Sequence, residues 1–167
     1  MEFEIFSLPS LNGALALSPL PGRSGAYAAV LARVVNWAPN LVLSMTETAE
    51  MHRVGAGQLG ADLGAHGIGW VHLPIRDFGA PTGVTLTAWP EASRRARSVL
   101  DQGGRVLVNC FGGCGRSGMA VVRVLVEAGE APAAAVDRLR AVRPCAIETE
   151  AQLHWATHPG ALKTHRV

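Results

Sequence analysis

The chain has 167 residues, of which 49% are hydrophobic and 17% are charged, and its formal net charge is +2. These values are typical of one folded domain with a buried core, and they exclude an intrinsically disordered chain. The small net charge argues against nucleic-acid binding driven by electrostatic attraction. We therefore predict a single domain over residues 1–167 with no nucleic-acid partner.

The N-terminal sequence MEFEIFSLPS lacks the positive segment and the long apolar segment of a signal peptide. No apolar run reaches the roughly 18 to 20 residues that a membrane span needs. The three cysteines are an odd number, which does not fit a framework of disulfides. We expect a cytoplasmic protein without a membrane partner, in a reducing compartment where its thiols stay free.

The predicted elements alternate between strands and helices. FEIFSL and ALALS, separated by SLNG, are typical of a hairpin. This alternation predicts an α/β fold with a mostly parallel sheet of about four or five strands and helices on both faces. Further strands are predicted at 41–45, 68–75 and 105–110, and helices at 25–37 (with Ser24 as N-cap), 46–54, 58–65, 88–100, 116–128, 132–142 and 148–157.

The predicted strand RVLVNC ends at Cys110, and parallel sheets bind their ligands beyond such strand ends. The following loop belongs to NCFGGCGRSG, residues 109–118, which contains the G-x-G-x-x-G pattern of a dinucleotide site. The same pattern also occurs at 55–60, after a predicted helix. A dinucleotide site needs a strand before the glycines and a second strand that carries the acidic residue for ribose. The copy at 55–60 lacks the first, and the copy at 113–118 is followed by further helices and lacks the second, so we reject the dinucleotide site.

The same loop also matches Cys-x-x-Gly-x-Gly-Arg-Ser, a pattern suited to attack on a phosphate monoester. Backbone N–H groups at a helix N-terminus form an anion cradle, and glycines permit the backbone angles that such a loop needs. Arg116 can donate to two phosphate oxygens, and the positive surroundings favour the thiolate of Cys110, to which Ser117 can donate. These groups supply the positive charge, so we expect no metal and no cofactor. The predicted phosphate-binding residues are Phe111, Gly112, Gly113, Cys114, Gly115 and Arg116.

A departing alcohol needs a proton, and the loop PIRDFGAP offers Asp77 as its donor. We expect the sheet topology to bring Asp77 and Cys110 to one edge. Asp77 would then act as the base when water hydrolyses the cysteinyl-phosphate. Gln152, in IETEAQ, would hold that water.

These motifs resemble the cysteine-dependent protein tyrosine and dual-specificity phosphatases, in the family's order over most of residues 40–155. LVLSMTETAE resembles the strand and helix before the general-acid loop, and LPIRDFGAP resembles that loop. VNCFGGCGRSG resembles the phosphate-binding loop, and RPCAIETEAQ resembles the segment that positions the hydrolytic water. The small kinase-associated-phosphatase-like branch is the most similar. The resemblance implies Cys110 as nucleophile, Arg116 as phosphate clamp, Ser117 as thiolate support, Asp77 as general acid and base, and Gln152 as water-positioning residue.

Two loop residues depart from the family pattern. Asn109 replaces the usual histidine and cannot carry a charge, so we expect weaker support for the Cys110 thiolate. Cys114 stands where an inert side chain is usual. It could simply fill space, or it could be a redox partner that captures oxidised Cys110 as a disulfide, with Cys145 as a second candidate partner. The C-x₃-C spacing without a second paired cluster argues against zinc.

The variable loop positions Phe111, Gly112 and Cys114 carry no basic side chain, which disfavours polyphosphorylated inositols. We expect a phosphorylated protein or peptide as substrate, with phosphotyrosine first and phosphoserine or phosphothreonine as further candidates. Phe78 and Phe111 could line a shallow site. Free phosphate or sulfate would fit the same loop. Two alternatives stay open: a phospho-residue binding module without turnover and a rhodanese-like sulfur transferase.

Overall fold

The computed structural model describes residues 2–160, and Met1 and residues 161–167 lie outside that part. None of the helices in the described part is long and apolar enough to cross a membrane. The strands are β1 (Phe6–Ser10), β2 (Gly13–Pro19), β3 (Leu41–Ser44), β4 (Gly69–His72) and β5 (Arg105–Cys110). The helices are α1 (Tyr27–Trp37), α2 (Thr48–Arg53), α3 (Leu59–Ala65), α4 (Gly83–Asp101), α5 (Gly115–Glu127), α6 (Pro132–Val142) and α7 (Glu150–Thr157).

The five strands form one sheet in the order β1-β2-β5-β3-β4. Only β1 runs antiparallel, and it forms the predicted hairpin with β2. The other neighbours pair in parallel. One apolar cluster joins the sheet to α4, α5, α6 and α7, and a second cluster on the opposite face joins it to α1, α2 and α3. The predicted α/β architecture with helices on both faces is confirmed.

The central strand β5 is buried at every residue after Arg105. Val106, Leu107 and Val108 are fully buried, and their side chains alternate between the two apolar clusters. A strand covered on both faces is expected to be a continuous apolar run, as RVLVNC is. Burying each such side chain is worth about 1.5 to 3 kcal/mol, so the position of Cys110 at the end of this strand is strongly determined.

The prediction that Ser24 caps α1 is wrong. The helix begins at Tyr27, and its N-cap is Ala26, which makes no side-chain capping bond. Gly25 and Ala26 both have positive φ angles, of 83° and 52°. This left-handed stretch separates Ser24 from the first helical turn, so its hydroxyl cannot act as the cap.

Helix α4 and strand β4 also differ in length from their predictions. Helix α4 begins at Gly83 instead of residue 88, and Pro90 lies inside it. A helix can carry an interior proline when tertiary packing compensates, and the neighbouring Trp89 is buried in the core. Strand β4 ends at His72, three residues earlier than predicted, close to Pro74, which has no N–H to donate to a ladder.

Candidate active site

Three neighbouring strands deliver the candidate catalytic groups to one edge of the sheet. Strand β5 ends at Cys110, which is only 2% exposed. Strand β3 leads into α2, which carries Glu50, and β4 leads into the loop that carries Asp77. Parallel strands end at the same edge, so the topology brings Asp77 and Cys110 to one site, as the sequence predicts.

The four carbonyl groups that follow Cys110 all accept hydrogen bonds from the protein behind the loop. Arg143 holds two of them, because its Nη2 donates to the carbonyl of Gly112 (3.1 Å) and its Nε to that of Gly113 (3.0 Å). Sequence reasoning missed Arg143, although it lies in the quoted segment RPCAIETEAQ. The other two carbonyls accept backbone hydrogen bonds, that of Phe111 from Leu20 and that of Cys114 from Gly118 and Ile147.

Because these carbonyls point away from the cleft, the loop's N–H groups are left for a ligand. Within residues 2–160, the N–H groups of residues 111–114 donate to no acceptor. Helix α5 begins at Gly115, and the first N–H groups of a helix also lack partners within it. The positive end of the helix dipole adds to this field. The loop therefore has the composition and hydrogen bonding of an anion-binding cradle.

Two glycines of the loop have a physical reason to be glycine. Gly113 has φ 66°, and a Cβ there would lie 2.6 Å from the backbone of Ser18 and Pro19. A Cβ on Gly115 would lie 2.3 Å from the Oε1 of Glu148. Gly112 has no such restriction, since its nearest contact would be one arginine side chain at 3.7 Å. The need for glycine is therefore strict at position 113, whereas at position 115 the exposed side chain of Glu148 would have to move.

The nucleophile candidate has a hydroxyl partner at its side. The Sγ of Cys110 lies 3.1 Å from the Oγ of Ser117, within hydrogen-bonding distance. Ser117 is fully buried in the first turn of α5. Asn109 is also buried, and its Oδ1 has no hydrogen-bond partner in the described chain. Asn109 therefore brings no charge to the thiol, while Ser117 can donate a hydrogen bond to it.

Arg116 is held in place by a carboxylate that sequence reasoning missed. Its Nη1 and Nη2 each donate to one oxygen of Glu50, both at 2.7 Å, and Nη1 also donates to the carbonyl of Ile75 at 2.9 Å. Arg116 is 2% exposed, so this pair is almost fully desolvated. The one signal for Glu50 was its position just after β3, the neighbour of β5, at the same sheet edge.

These bonds decide which side of Arg116 can bind a phosphate. A guanidinium has five N–H donors, and Glu50 and Ile75 take both of those on Nη1 and one of those on Nη2. The Nε–H and the second Nη2–H remain, and together they form a fork that matches two phosphate oxygens. The Oδ1 of Asp77 lies 3.3 Å from Nη2, beside this fork.

The ion pair with Arg116 also affects the pKa of Glu50. Burial alone would raise the pKa of Glu50, but hydrogen bonds from Arg116 and from the Glu47 N–H, with the charges of Arg116 and Arg53, hold it below its ordinary value. Burial likewise works against the charge of Arg116, but the hydrogen bonds that Arg116 donates to Glu50, together with nearby negative charges, outweigh it, so the pKa of Arg116 is raised. Both groups are therefore charged at neutral pH.

The Asp77 loop is anchored but exposed. The Asp77 side chain is 55% exposed, and its Oδ1 accepts a hydrogen bond from the N–H of Phe78. Phe78 has φ 63° and is 57% exposed, and its carbonyl accepts from the hydroxyl of Thr149 at 3.2 Å. The carboxyl group is thus oriented by its own loop while staying accessible to a leaving group.

Gln152 joins two parts of the site. It is fully buried, its Oε1 accepts from the N–H of Glu148 (2.9 Å), and its Nε2 donates to the carbonyl of Gly79 (3.1 Å) in the Asp77 loop. An amide has two N–H donors and two oxygen lone pairs, so one donor and one lone pair remain for a water. The predicted role in holding water is compatible with this hydrogen-bonding capacity and remains a prediction.

The cysteine pairing differs from both predicted pairings with the nucleophile. Cys114 and Cys145 form a disulfide with a Cα–Cα distance of 5.3 Å, and Cys110 is the free thiol among the described residues. The prediction that all thiols stay free is therefore wrong, and the capture of oxidised Cys110 by Cys114, which would first require Cys114 to leave Cys145, stays a prediction. The loop from α6 to α7 brings Cys145 behind the phosphate cradle, a proximity that the sequence did not reveal.

The mouth of the site is a shallow cleft of about 230 Å³, and both Phe78 and Phe111 line it, as predicted. A larger open groove of about 690 Å³ lies beside Trp37 and Arg105, at the other end of β5. That groove contains none of the loop groups described above. The acid candidate Asp77 and three residues of the cradle, Phe111, Gly112 and Cys114, line the smaller cleft.

Comparison with protein-family models gives a match over residues 20–130, which span β3, β4, β5 and all of α5. The matching family is described as a DSP-PTPase phosphatase of polymorphic toxin systems. A search of curated protein sequences finds no match.

Several solved structures share this fold. Kinase associated phosphatase (KAP), solved with its catalytic-site cysteine replaced by serine, is 20% identical, with a TM-score of 0.85 over 100% of this chain and 99% of that one. Tk-PTP in its active form is 27% identical, with a TM-score of 0.66 over 84% and 87% of the two chains. PTPMT1 in complex with PI(5)P is 18% identical, with a TM-score of 0.73 over 92% and 93%.

Proposed function

The chain belongs to the DSP-PTPase phosphatase family of polymorphic toxin systems and is a protein phosphatase of the tyrosine and dual-specificity class, and on that premise we propose how its residues act. In the first step the Cys110 thiolate attacks phosphorus, the P–O ester bond breaks, and Asp77 gives its proton to the departing oxygen. In the second step a water attacks the phosphocysteine, the S–P bond breaks, and Asp77 takes the proton of the water.

The observation that carries this proposal is the orientation of the loop between Cys110 and Arg116. Its carbonyls are all bound from behind and its N–H groups are free, so a group with about two negative charges would be held directly above the thiol. Arg116 would clamp two phosphate oxygens with its remaining fork. Ser117 would support the thiolate, and Gln152 would hold the water.

We expect phosphotyrosine as the first substrate, since its ring would pack against Phe78 and Phe111 at the cleft, with phosphoserine and phosphothreonine as further substrates. We also expect inorganic phosphate and sulfate to compete for the loop. The cytoplasmic location stays a prediction, and the Cys114–Cys145 disulfide argues against it, because disulfides are rare in a reducing compartment.

Hydrolysis of p-nitrophenyl phosphate by the wild type, Cys110→Ser and Asp77→Ala tests the assignment. We expect no turnover with Cys110→Ser. With Asp77→Ala we expect kcat to fall on p-nitrophenyl phosphate, and by about 10² or more on a phosphotyrosine peptide, whose leaving group is poorer. Binding of phosphate without turnover by the wild type would favour the phospho-residue binding module. Turnover only with thiosulfate would favour the sulfur transferase.

A further inference from the structure

Two arginines from separate segments stack on one aromatic ring beside the phosphate cradle. The guanidinium carbons of Arg23 and Arg53 lie 5.4 Å and 5.3 Å from the ring centre of Phe111, the residue after the nucleophile. Both side chains are exposed, and neither forms an ion pair with a carboxylate within residues 2–160. Glu50, the carboxylate whose charge acts on Arg53, is bound in bidentate fashion to Arg116.

The turn that carries Arg23 is built against both the cradle and α2. The N–H of Leu20 donates to the carbonyl of Phe111, and the N–H of Arg23 donates back to Leu20. Gly22 has φ 94°, and a Cβ there would lie 2.5 Å from the carbonyl oxygen of Val54, just after Arg53. The close contact of Gly22 with Val54 brings the two arginines to the same ring.

The far end of this turn is anchored as well. Tyr27 begins α1, and its hydroxyl donates to the carboxylate of Asp62 on α3 at 2.6 Å. Its ring would lie 3.5 Å from a Cβ on Gly22. The backbone on both sides of Arg23 is therefore held by the fold.

Stacking on Phe111 orients the two guanidinium planes while leaving their N–H edges for a ligand. The Nη1 of Arg23 would lie 3.7 Å from a Cβ on Gly112, so Arg23 overhangs the cradle itself. Asp77 and Glu148 line the same cleft but belong to other segments. The mouth of the site is thus positive on the Phe111 side and carries carboxylates elsewhere, which favours one orientation of a charged substrate.

We propose that Arg23 and Arg53 form an anion subsite that selects phosphopeptides with an acidic side chain next to the phosphorylated residue. Consecutive residues of an extended peptide are about 3.3 to 3.6 Å apart, so a neighbouring carboxylate would lie within reach of the arginines while the phosphate occupies the cradle. The phosphate-binding loop itself has no basic residue at its variable positions, so the sequence suggested no such preference. The two positive charges come from Arg23 and Arg53, which are distant from the loop in sequence. The inference rests on the proposed function of Cys110.

The test compares two synthetic phosphotyrosine peptides that differ only in having Glu or Gln on each side of the phosphotyrosine, with p-nitrophenyl phosphate as a substrate that has no neighbours. We expect wild-type kcat/KM to be about tenfold higher for the Glu peptide. Arg23→Gln and Arg53→Gln should each reduce this preference by about threefold, and the double variant should remove it.

Arg105→Gln is the matched control, because Arg105 also stacks on an aromatic ring, Trp37, but at the opposite end of β5. It should keep the preference, and all variants should hydrolyse p-nitrophenyl phosphate within about twofold of the wild type.

Equal hydrolysis of both peptides by an active wild type would overturn the subsite alone, whereas inactivity on all three substrates would overturn the proposed function with it. Loss of p-nitrophenyl phosphate hydrolysis in the double variant would mean that the arginines support the loop and do not form a subsite. A larger effect of the double variant on vesicles containing phosphatidylinositol phosphate than on the Glu peptide would overturn the choice of peptide.

Discussion

Glu50 accepts one N–H from each terminal nitrogen of Arg116, which leaves the Nε–H and the second Nη2–H of Arg116 as the fork for a ligand. The two side chains come from different strand ends, after β3 and after β5, and their hydrogen bonds of 2.7 Å hold those segments together. Each charge also compensates the other for the hydration lost on burial, since either ion alone would carry a large desolvation penalty. A single buried pair therefore supports both the shape of the site and its affinity for phosphate.

Replacing Glu50 by Gln should weaken both the affinity of the site for phosphate and the stability of the fold. The amide keeps the shape but removes the charge and one acceptor, so Arg116 loses its fixed orientation. We expect kcat/KM for p-nitrophenyl phosphate to fall by about 10- to 100-fold and the free energy of unfolding by about 2 kcal/mol. Glu91→Gln, which breaks an exposed ion pair with Arg94, should change neither quantity appreciably. Unchanged activity of Glu50→Gln would show that Arg116 needs no such support.

The ion pair of Glu50 and Arg116 also predicts how the free energy of unfolding depends on pH. The folded protein holds the pKa of Glu50 below its ordinary value of 4.5, so the pair stabilises the fold fully above pH 4.5. That contribution is lost as pH falls through the lower, folded pKa. In urea unfolding measured from pH 7 to pH 3, the difference in unfolding free energy between wild type and Glu50→Gln should shrink below pH 4.5. A difference that stays constant over this range would contradict the prediction.

The Cys114–Cys145 disulfide should be present in protein purified without reductant and should stabilise it. It closes a loop with a sequence separation of 31, for which the chain-entropy model gives about 3 to 4 kcal/mol. We expect Cys145→Ser to lose about that amount, while Cys110→Ser keeps the disulfide.

Alkylation in denaturant followed by intact mass measurement checks the pairing. One cysteine should react before reduction and three after it. Three reactive cysteines before reduction, or a disulfide that includes Cys110, would be incompatible with this pairing.

The order of the elements and the catalytic loop could be predicted because their signals are local. The apolar run before Cys110 is a buried strand, the glycines that follow are a turn, and Pro132 at the start of α6 is a helix signal read within a few residues. The motif from Cys110 to Ser117 needs no knowledge of distant parts of the chain. Local patterns were therefore sufficient to predict both the fold class and the candidate nucleophile.

The partners behind the loop could not be predicted because they depend on tertiary contacts. Nothing near Glu50 in the sequence singles it out from the other acidic residues as the partner of Arg116, which lies 66 positions further on. Arg143 and Cys145 are likewise distant from the loop that they support. Ser24 shows the opposite failure, where a good local capping residue is overruled by the left-handed backbone at Gly25.

The two adjacent glycines of the loop should respond differently to alanine. Gly113→Ala forces a side chain into a left-handed backbone position 2.6 Å from β2, so it should reduce phosphate affinity and stability together. We expect a loss of about 2 kcal/mol or more in unfolding free energy. Gly112→Ala meets only a flexible arginine at 3.7 Å and should keep wild-type stability. Thermal unfolding with and without phosphate separates them, and equal destabilisation by both changes would count against the loop geometry.

Gln152→Ala should slow the second chemical step more than the first. Gln152 links the N–H of Glu148 to the carbonyl of Gly79, and its remaining donor and lone pair can orient the water that attacks the phosphocysteine. Without it, the thiol should still attack p-nitrophenyl phosphate, but the intermediate should accumulate. We expect a pre-steady-state burst of p-nitrophenolate close to one equivalent of enzyme, followed by a steady rate about 10- to 100-fold below that of the wild type.

Gln152→Glu is the matched variant, since it keeps the oxygen that accepts from the Glu148 N–H but loses the donation to Gly79. A purely structural role would lower the melting temperature of both variants and reduce the burst and the steady rate equally. A burst that grows as the steady rate falls requires that Gln152 act on the water, because packing alone does not distinguish the two steps.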